Sequence, residues 1–90
     1  MDLVYVLMEN IRDNNFDDRD WTVDCRPIRV FRSSQKAWEY SQDLLEKDYE
    51  FVRARYGEND VTYKSNMISY NHDSEQIYYS VEPLFLNEED

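Results

Sequence analysis

Glu39, Asp43, Glu46 and Glu50 stand four, three and four residues apart. At 100° per residue they fall within about 60° of one another on a helix, with roughly 5–6 Å between neighbouring Cβ atoms. A line of carboxylates could hold a metal ion, share a proton in acid–base catalysis, or present charge to a partner. Between neighbours at this spacing the charges repel, which costs a helix a few tenths of a kcal/mol per pair. A basic groove releases counterions when any polyanion fills it, whether the charges are phosphates or carboxylates. The row therefore has the chemistry to dock on Lys and Arg that otherwise hold nucleic acid.

A second acidic stretch, DNNFDDRDWTVD over residues 13–24, has the length of an EF-hand loop. It offers Asp13, Asn15, Asp17 and Asp24 at positions 1, 3, 5 and 12. Position 6, where the sharp turn of an EF-hand needs Gly, is Asp18, and the usual apolar residue at position 8 is Asp20. The flanking segments read as strands rather than helices. The stretch is thus expected to be a solvated hairpin loop, held open by like charge. Asp17, Asp18 and Asp20 extend the docking surface, with weak cation binding as the rival use.

The remaining reactive side chains are few. His72, the one histidine, lies in a turn-like NHDSE beside Asp73 and Glu75, with no second histidine or cysteine cluster to complete a zinc set. Cys25, the one cysteine, alternates with Trp21 and Val23 and is expected to be a small buried hydrophobe rather than a nucleophile, which would need an activating base. One glycine in the chain does not build a phosphate-cradling loop. No pair of carboxylates is marked as an acid and a base with separate environments. The expectation is a protein that is not an enzyme and uses no cofactor and no metal.

Five segments must position these groups. Residues 3–11, apolar on both faces and rich in branched side chains, predict a central strand. Residues 21–25 alternate apolar and polar, and the extended reading continues to Phe31, with Pro27 marking an edge or bulge. A long helix is predicted from an N-cap at Ser33 or Ser34 to Gly57, placed where a C′ residue with positive φ ends a helix. Its apolar arc takes in Ala37, Trp38, Tyr40, Leu44, Leu45, Tyr49, Phe51, Val52 and Tyr56. Asp48 and Arg55 also fall inside that arc, so either they meet or the helix bends near Lys47. Residues 58–66 read as a loop or short extended stretch. Residues 66–70 and 76–86 read as two further strands, the last an edge or bent at Pro83. The fold class is α+β: a small antiparallel sheet of about four strands, in ββαββ order, with one long helix on one face. Residues 1–86 form a single domain and 87–90 an acidic tail.

Composition sets the electrostatic frame. The formal charge is −10, with 20 acidic and 10 basic residues in 90. Such a field repels nucleic acid and anionic membrane and attracts basic surfaces. Aromatic residues make up 16% of the chain, too many for a disordered segment. Tyr49, Phe51, Arg53, Arg55 and Tyr56 interleave aromatic and basic side chains as single-strand binders do, but the surrounding acids favour packing. Tyr63, Tyr70, Tyr78 and Tyr79 could form an exposed face for a partner or a homodimer. No apolar run is long enough to span a membrane, no signal peptide precedes the first strand, and the lone cysteine suits a reducing compartment. The expected location is the cytoplasm.

Val4 to Val6, Val30 to Ala37 and Val81 to Leu86 resemble a class of small bacterial and phage β-β-α-β domains, in which a strand reading V-Y-V leads to a strand ending V-F-S-S, a helix with K-A near its start and a final strand reading V-E-x-x-x-L. No activity comes with that class. In its acidity, small size and lack of catalytic residues the chain also resembles phage-encoded inhibitors of host defence, the anti-CRISPR and anti-restriction proteins. That resemblance implies a partner of one kind: a basic protein surface on a nucleic-acid-binding enzyme, in the host cytoplasm, with no direct contact to nucleic acid. The alternative is a structural or accessory homodimer whose acidity serves solubility alone.

Overall fold

The computed structural model describes residues 2–14 and 22–86. The strands are β1 (Asp2–Asp13), β2 (Thr22–Phe31), β3 (Thr62–Lys64), β4 (Met67–Tyr70) and β5 (Glu75–Leu86), with helix α1 (Ser34–Tyr56) between β2 and β3 and a short 3₁₀ turn (Glu58–Asp60) after it. They form one antiparallel sheet in the order β2-β1-β5-β4-β3. The α+β expectation holds, with five strands among the described residues in place of about four. The added strand is three residues long and lies at the sheet edge, too short for alternation to mark it. The body is elongated, 50 × 28 × 17 Å.

β1 lies inside the sheet, as its two apolar faces require. β5 is also interior, where an edge strand or one bent at Pro83 was expected. β4 pairs with it only from Glu75 to Tyr78, so from Tyr79 onward β1 is its one neighbour among the described residues. Pro83 sits in that half-flanked stretch, where a missing N–H can face away from the ladder. Pro27 lies on the edge strand β2, where the register slips: Leu7 pairs with Arg29, Met8 with Pro27, and Ile28 is the extra residue of a bulge. The bulge leaves Ile28 packed on the core.

Strand alternation places Leu7, Ile77, Tyr79, Ile68 and Tyr63 on the face that α1 covers. Leu7, Leu45 and Ile68 are fully buried, with Val52, Val61, Tyr70 and Tyr79 around them. The helix starts beside edge strand β2 and leads to β3 at the opposite edge. Twenty-three residues make about 34 Å of helix, against about 19 Å across five strands, so it crosses the sheet obliquely. At one end the sheet narrows to a ribbon of β1 and β5, because β2 stops opposite Tyr5. Leu3, Leu84, Phe85 and Leu86 on this ribbon are 38–64% exposed.

Candidate protein-docking face

Local signals fix where α1 begins and ends. Ser33 Oγ accepts the N–H of Lys36 at 3.3 Å, closing the first turn. Gly57 has φ +92° and still donates its N–H to Arg53 O at 2.9 Å before the chain turns away. The rotation of the helix about its axis is set by aromatic pairs on both flanks. Tyr40 meets Phe31 of β2 at 5.5 Å between ring centroids. Tyr49 meets Tyr63 of β3 at 5.4 Å, and Tyr56 meets Tyr70 of β4 at 5.1 Å. With those flanks down, the outward arc carries Glu39, Asp43, Glu46 and Glu50, and all four are exposed.

Among the described residues none of the four is in an ion pair; Arg26 pairs with Glu9 and Arg53 with Glu58, and His72 Nδ1 lies 3.5 Å from Asp60. Glu39 accepts one hydrogen bond from the Gln35 side chain at 3.1 Å. The row runs about 16 Å along the helix axis, one charge every 5–6 Å, sparser than the 3.4 Å per phosphate of a single DNA strand. Its field reaches the sheet flank: the Tyr63 phenol is pushed up by burial and then by Glu46.

Asp48 lies on the opposite side of the helix, where the apolar arc was expected to bring it near Arg55 or to force a bend. The helix is continuous, and Asp48 finds a partner in β5: the Tyr79 hydroxyl donates to Asp48 Oδ2 at 2.7 Å. The same hydroxyl is 3.3 Å from Glu9 Oε2 in β1, and Arg26 of β2 donates from Nε to Glu9 Oε1 at 2.8 Å. Tyr79 is 4% exposed and has one proton to give, so the shorter contact takes it. Burial raises the Asp48 carboxyl above its ordinary range; the Tyr79 hydrogen bond opposes this and the Glu9 charge adds to it. Burial and the two carboxylates push the Tyr79 phenol far up. The cluster borders a groove of about 290 Å³ whose lip includes Phe51 and Arg55. The Tyr79–Asp48 bond ties α1 to β5 and so helps hold the carboxylate row outward.

Several expectations are corrected at this face. Phe51 is 67% exposed and Trp38 40% exposed. Both sit at the margins of the apolar arc, and Phe51 stands on the lip of the groove above Ile11 and Ile77. Cys25 is exposed because its alternation places it on the face away from α1, on an edge strand. Tyr70 and Tyr79 are buried, and Tyr63 and Tyr78 half-buried, so the four tyrosines form no exposed face. Arg53 and Arg55 lie over the rings of Tyr49 and Tyr56 at 5.5 and 5.8 Å, which gives that aromatic–basic patch a packing role. Asp17, Asp18 and Asp20, like the tail 87–90, lie outside the described residues. Asp13 and Asp24 are strand residues, in β1 and β2. Among the described residues no three metal-ligating side chains gather, and no helix is long and apolar enough to cross a membrane.

Glu9 was not singled out from sequence, and Tyr79 was named only among the four tyrosines expected to offer an exposed face. The signal that pointed toward them was Asp48 itself, a carboxylate inside an apolar arc that needed a donor from another element. Comparison with known protein families, with curated proteins and with solved structures finds no match. The functional argument therefore rests on geometry and charge.

Proposed function

We propose that this chain is a non-enzymatic interaction protein that lays the carboxylate row of α1 on a basic, nucleic-acid-binding surface of another protein. The observation that carries this reading is the row: Glu39, Asp43, Glu46 and Glu50 stand on one outward arc, exposed and outside any ion pair among the described residues. Four unneutralised carboxylates on a braced helix offer a partner pre-positioned charge, so little ordering entropy opposes docking. Such a molecule acts as an inhibitor of the phage anti-CRISPR or anti-restriction type, by competing with DNA or RNA for the partner's Lys and Arg. Asp17, Asp18 and Asp20 add to the same contact in this reading.

The test is capture of partners from a bacterial lysate at low and high salt, followed by competition with DNA and RNA. The expected result is a basic nucleic-acid-binding protein that is retained at low salt and released by either competitor. Binding that is unchanged by Glu39→Gln, Asp43→Asn, Glu46→Gln and Glu50→Gln together would sink the proposal.

The exposed ribbon supports a second reading. Leu3 pairs with Phe85 and Val4 with Leu84, and the apolar side chains left open there suit a homodimer of a structural or accessory kind. A dimer held by this ribbon persists in high salt and is indifferent to the row.

A further inference from the structure

We propose that the β2 flank of this protein is a docking site for the carboxylate row of a second copy of the chain. Between Cys25 and Trp38 the sequence holds Arg26, Arg29, Arg32 and Lys36 and no acidic residue, in a chain with twice as many acids as bases. The structure gathers these cations along one side. Arg26 and Arg29 belong to the edge strand β2. Arg32 follows it, and Lys36 lies on the helix flank that Tyr40 turns toward β2. Lys47 falls on the same flank by helical periodicity.

Arg29 is already positioned for docking. Its guanidinium lies 5.5 Å from the Phe31 ring centroid and 5.3 Å from that of Tyr40. The two rings limit its rotamers and keep its N–H groups at the edge. Arg32 and Lys36 are exposed. The first turn of α1 contains no acidic residue, so nothing on the helix itself offsets the positive end of its dipole there.

A second copy fits this flank by sign. Arg26 is held by Glu9 at 2.8 Å, which leaves Arg29, Arg32 and Lys36 to meet the row, and the two sets oppose in charge. The net charge of −10 does not forbid the contact. At 0.1 M salt the Debye length is about 10 Å, shorter than the 28 and 50 Å dimensions of the body, so carboxylates on the far side are screened while the touching pairs are not. The contact needs no foreign partner. It covers the row, so a second copy and a basic target compete for the same carboxylates.

Sedimentation of the full chain from micromolar to millimolar concentration, in about 0.1 M and 1 M salt, tests this. The expected result is association in 0.1 M salt that is lost in 1 M salt. Glu39→Lys with Glu46→Lys, and separately Arg32→Glu with Lys36→Glu, each weaken it by about tenfold or more. Circular dichroism checks that each variant is folded, and Arg32→Gln with Lys36→Gln serves where the reversal is not. Mixing the two reversed variants restores a complex, since the lysine row of one meets the acidic flank of the other. The proposal is overturned if the wild type stays monomeric, or if association survives 1 M salt or both reversals and so belongs to the Leu3–Phe85 ribbon. It is equally overturned if the wild type does not associate and the flank instead binds a labelled single-stranded DNA. None of these outcomes depends on whether a lysate partner exists.

Discussion

Tyr79→Phe is the sharpest probe of what holds the carboxylate row outward. It removes one hydroxyl from a buried ring and leaves the packing volume nearly unchanged. The lost bond is charge-assisted, from the phenol to Asp48 Oδ2 at 2.7 Å. Bonds of that kind contribute about 1.5–3 kcal/mol net, and the half-buried Asp48 places this one near the lower end, at about 1.5–2 kcal/mol. For a chain of this length that is a fall in Tm of about 6 to 16 °C. The pH dependence follows from the raised Asp48 pKa. Its protonated form is favoured in the folded state, so its contribution to stability is fully present below 3.8 and is lost as pH rises through the folded value. Asp48→Asn keeps an oxygen to accept the Tyr79 proton and removes the buried charge. It is therefore expected to match or exceed wild type at pH 7, and to lose that advantage as pH falls toward 3.8. Urea unfolding of wild type, Tyr79→Phe, Asp48→Asn and the double variant at pH 4 and pH 7 measures all of this. If Asp48→Asn costs as much as Tyr79→Phe at pH 7, or its difference from wild type does not change with pH, the clamp works by some other balance.

Leu45→Ala in the helix core, at a fully buried site, should cost about 2.7–5 kcal/mol by chemical unfolding, enough to threaten a domain of this size. Gly57→Ala meets no neighbouring atom within 4 Å but places a side chain at φ +92°, so it should cost about 1 kcal/mol or more through backbone strain alone. Calorimetric titration with calcium should show millimolar affinity or none. An EF-hand holds its ligands between two helices, whereas Asp13 and Asp24 belong to two strands of a hairpin.

Most of the fold was legible because its signals are local. The branched run of residues 3–11, the Ser33 cap, the single Gly57 and the helical arc of Leu45 and Val52 each mark one element without reference to another. β3 was not legible, since three residues carry no period. The strand order was not legible either: Pro83 left β5 as an edge or a bent strand, and among the described residues it is an interior strand with one flank open beyond Tyr78. Exposure failed where position in the sheet decides it. Cys25 and Phe51 are residue types usually buried, but one sits on an edge strand and the other on the lip of an open groove. Of the candidate face, the row was readable as a period of four and three, since outward display follows once the opposite arc is buried. The clamp was half readable. Asp48 was visibly out of place, but its partner lies thirty-one residues away, and local patterning does not reach that far.

Where the carboxylates sit on α1 bears on why they are there. A helix gains most from Asp and Glu in its first turn, beside the positive end of its dipole. This helix has none there and places Lys36 in that turn instead. Its last turn does follow the rule, with Arg53 and Arg55. If acidity served only solubility and helix stability, the first turn would be the least costly place for it. The acids instead occupy the middle turns at spacings that set them against one another, with each repulsion costing a few tenths of a kcal/mol. They also face away from the clamp and the aromatic pairs that fix the helix on the sheet. In the proposed function, that distribution keeps charge in one outward line for display to a cationic surface.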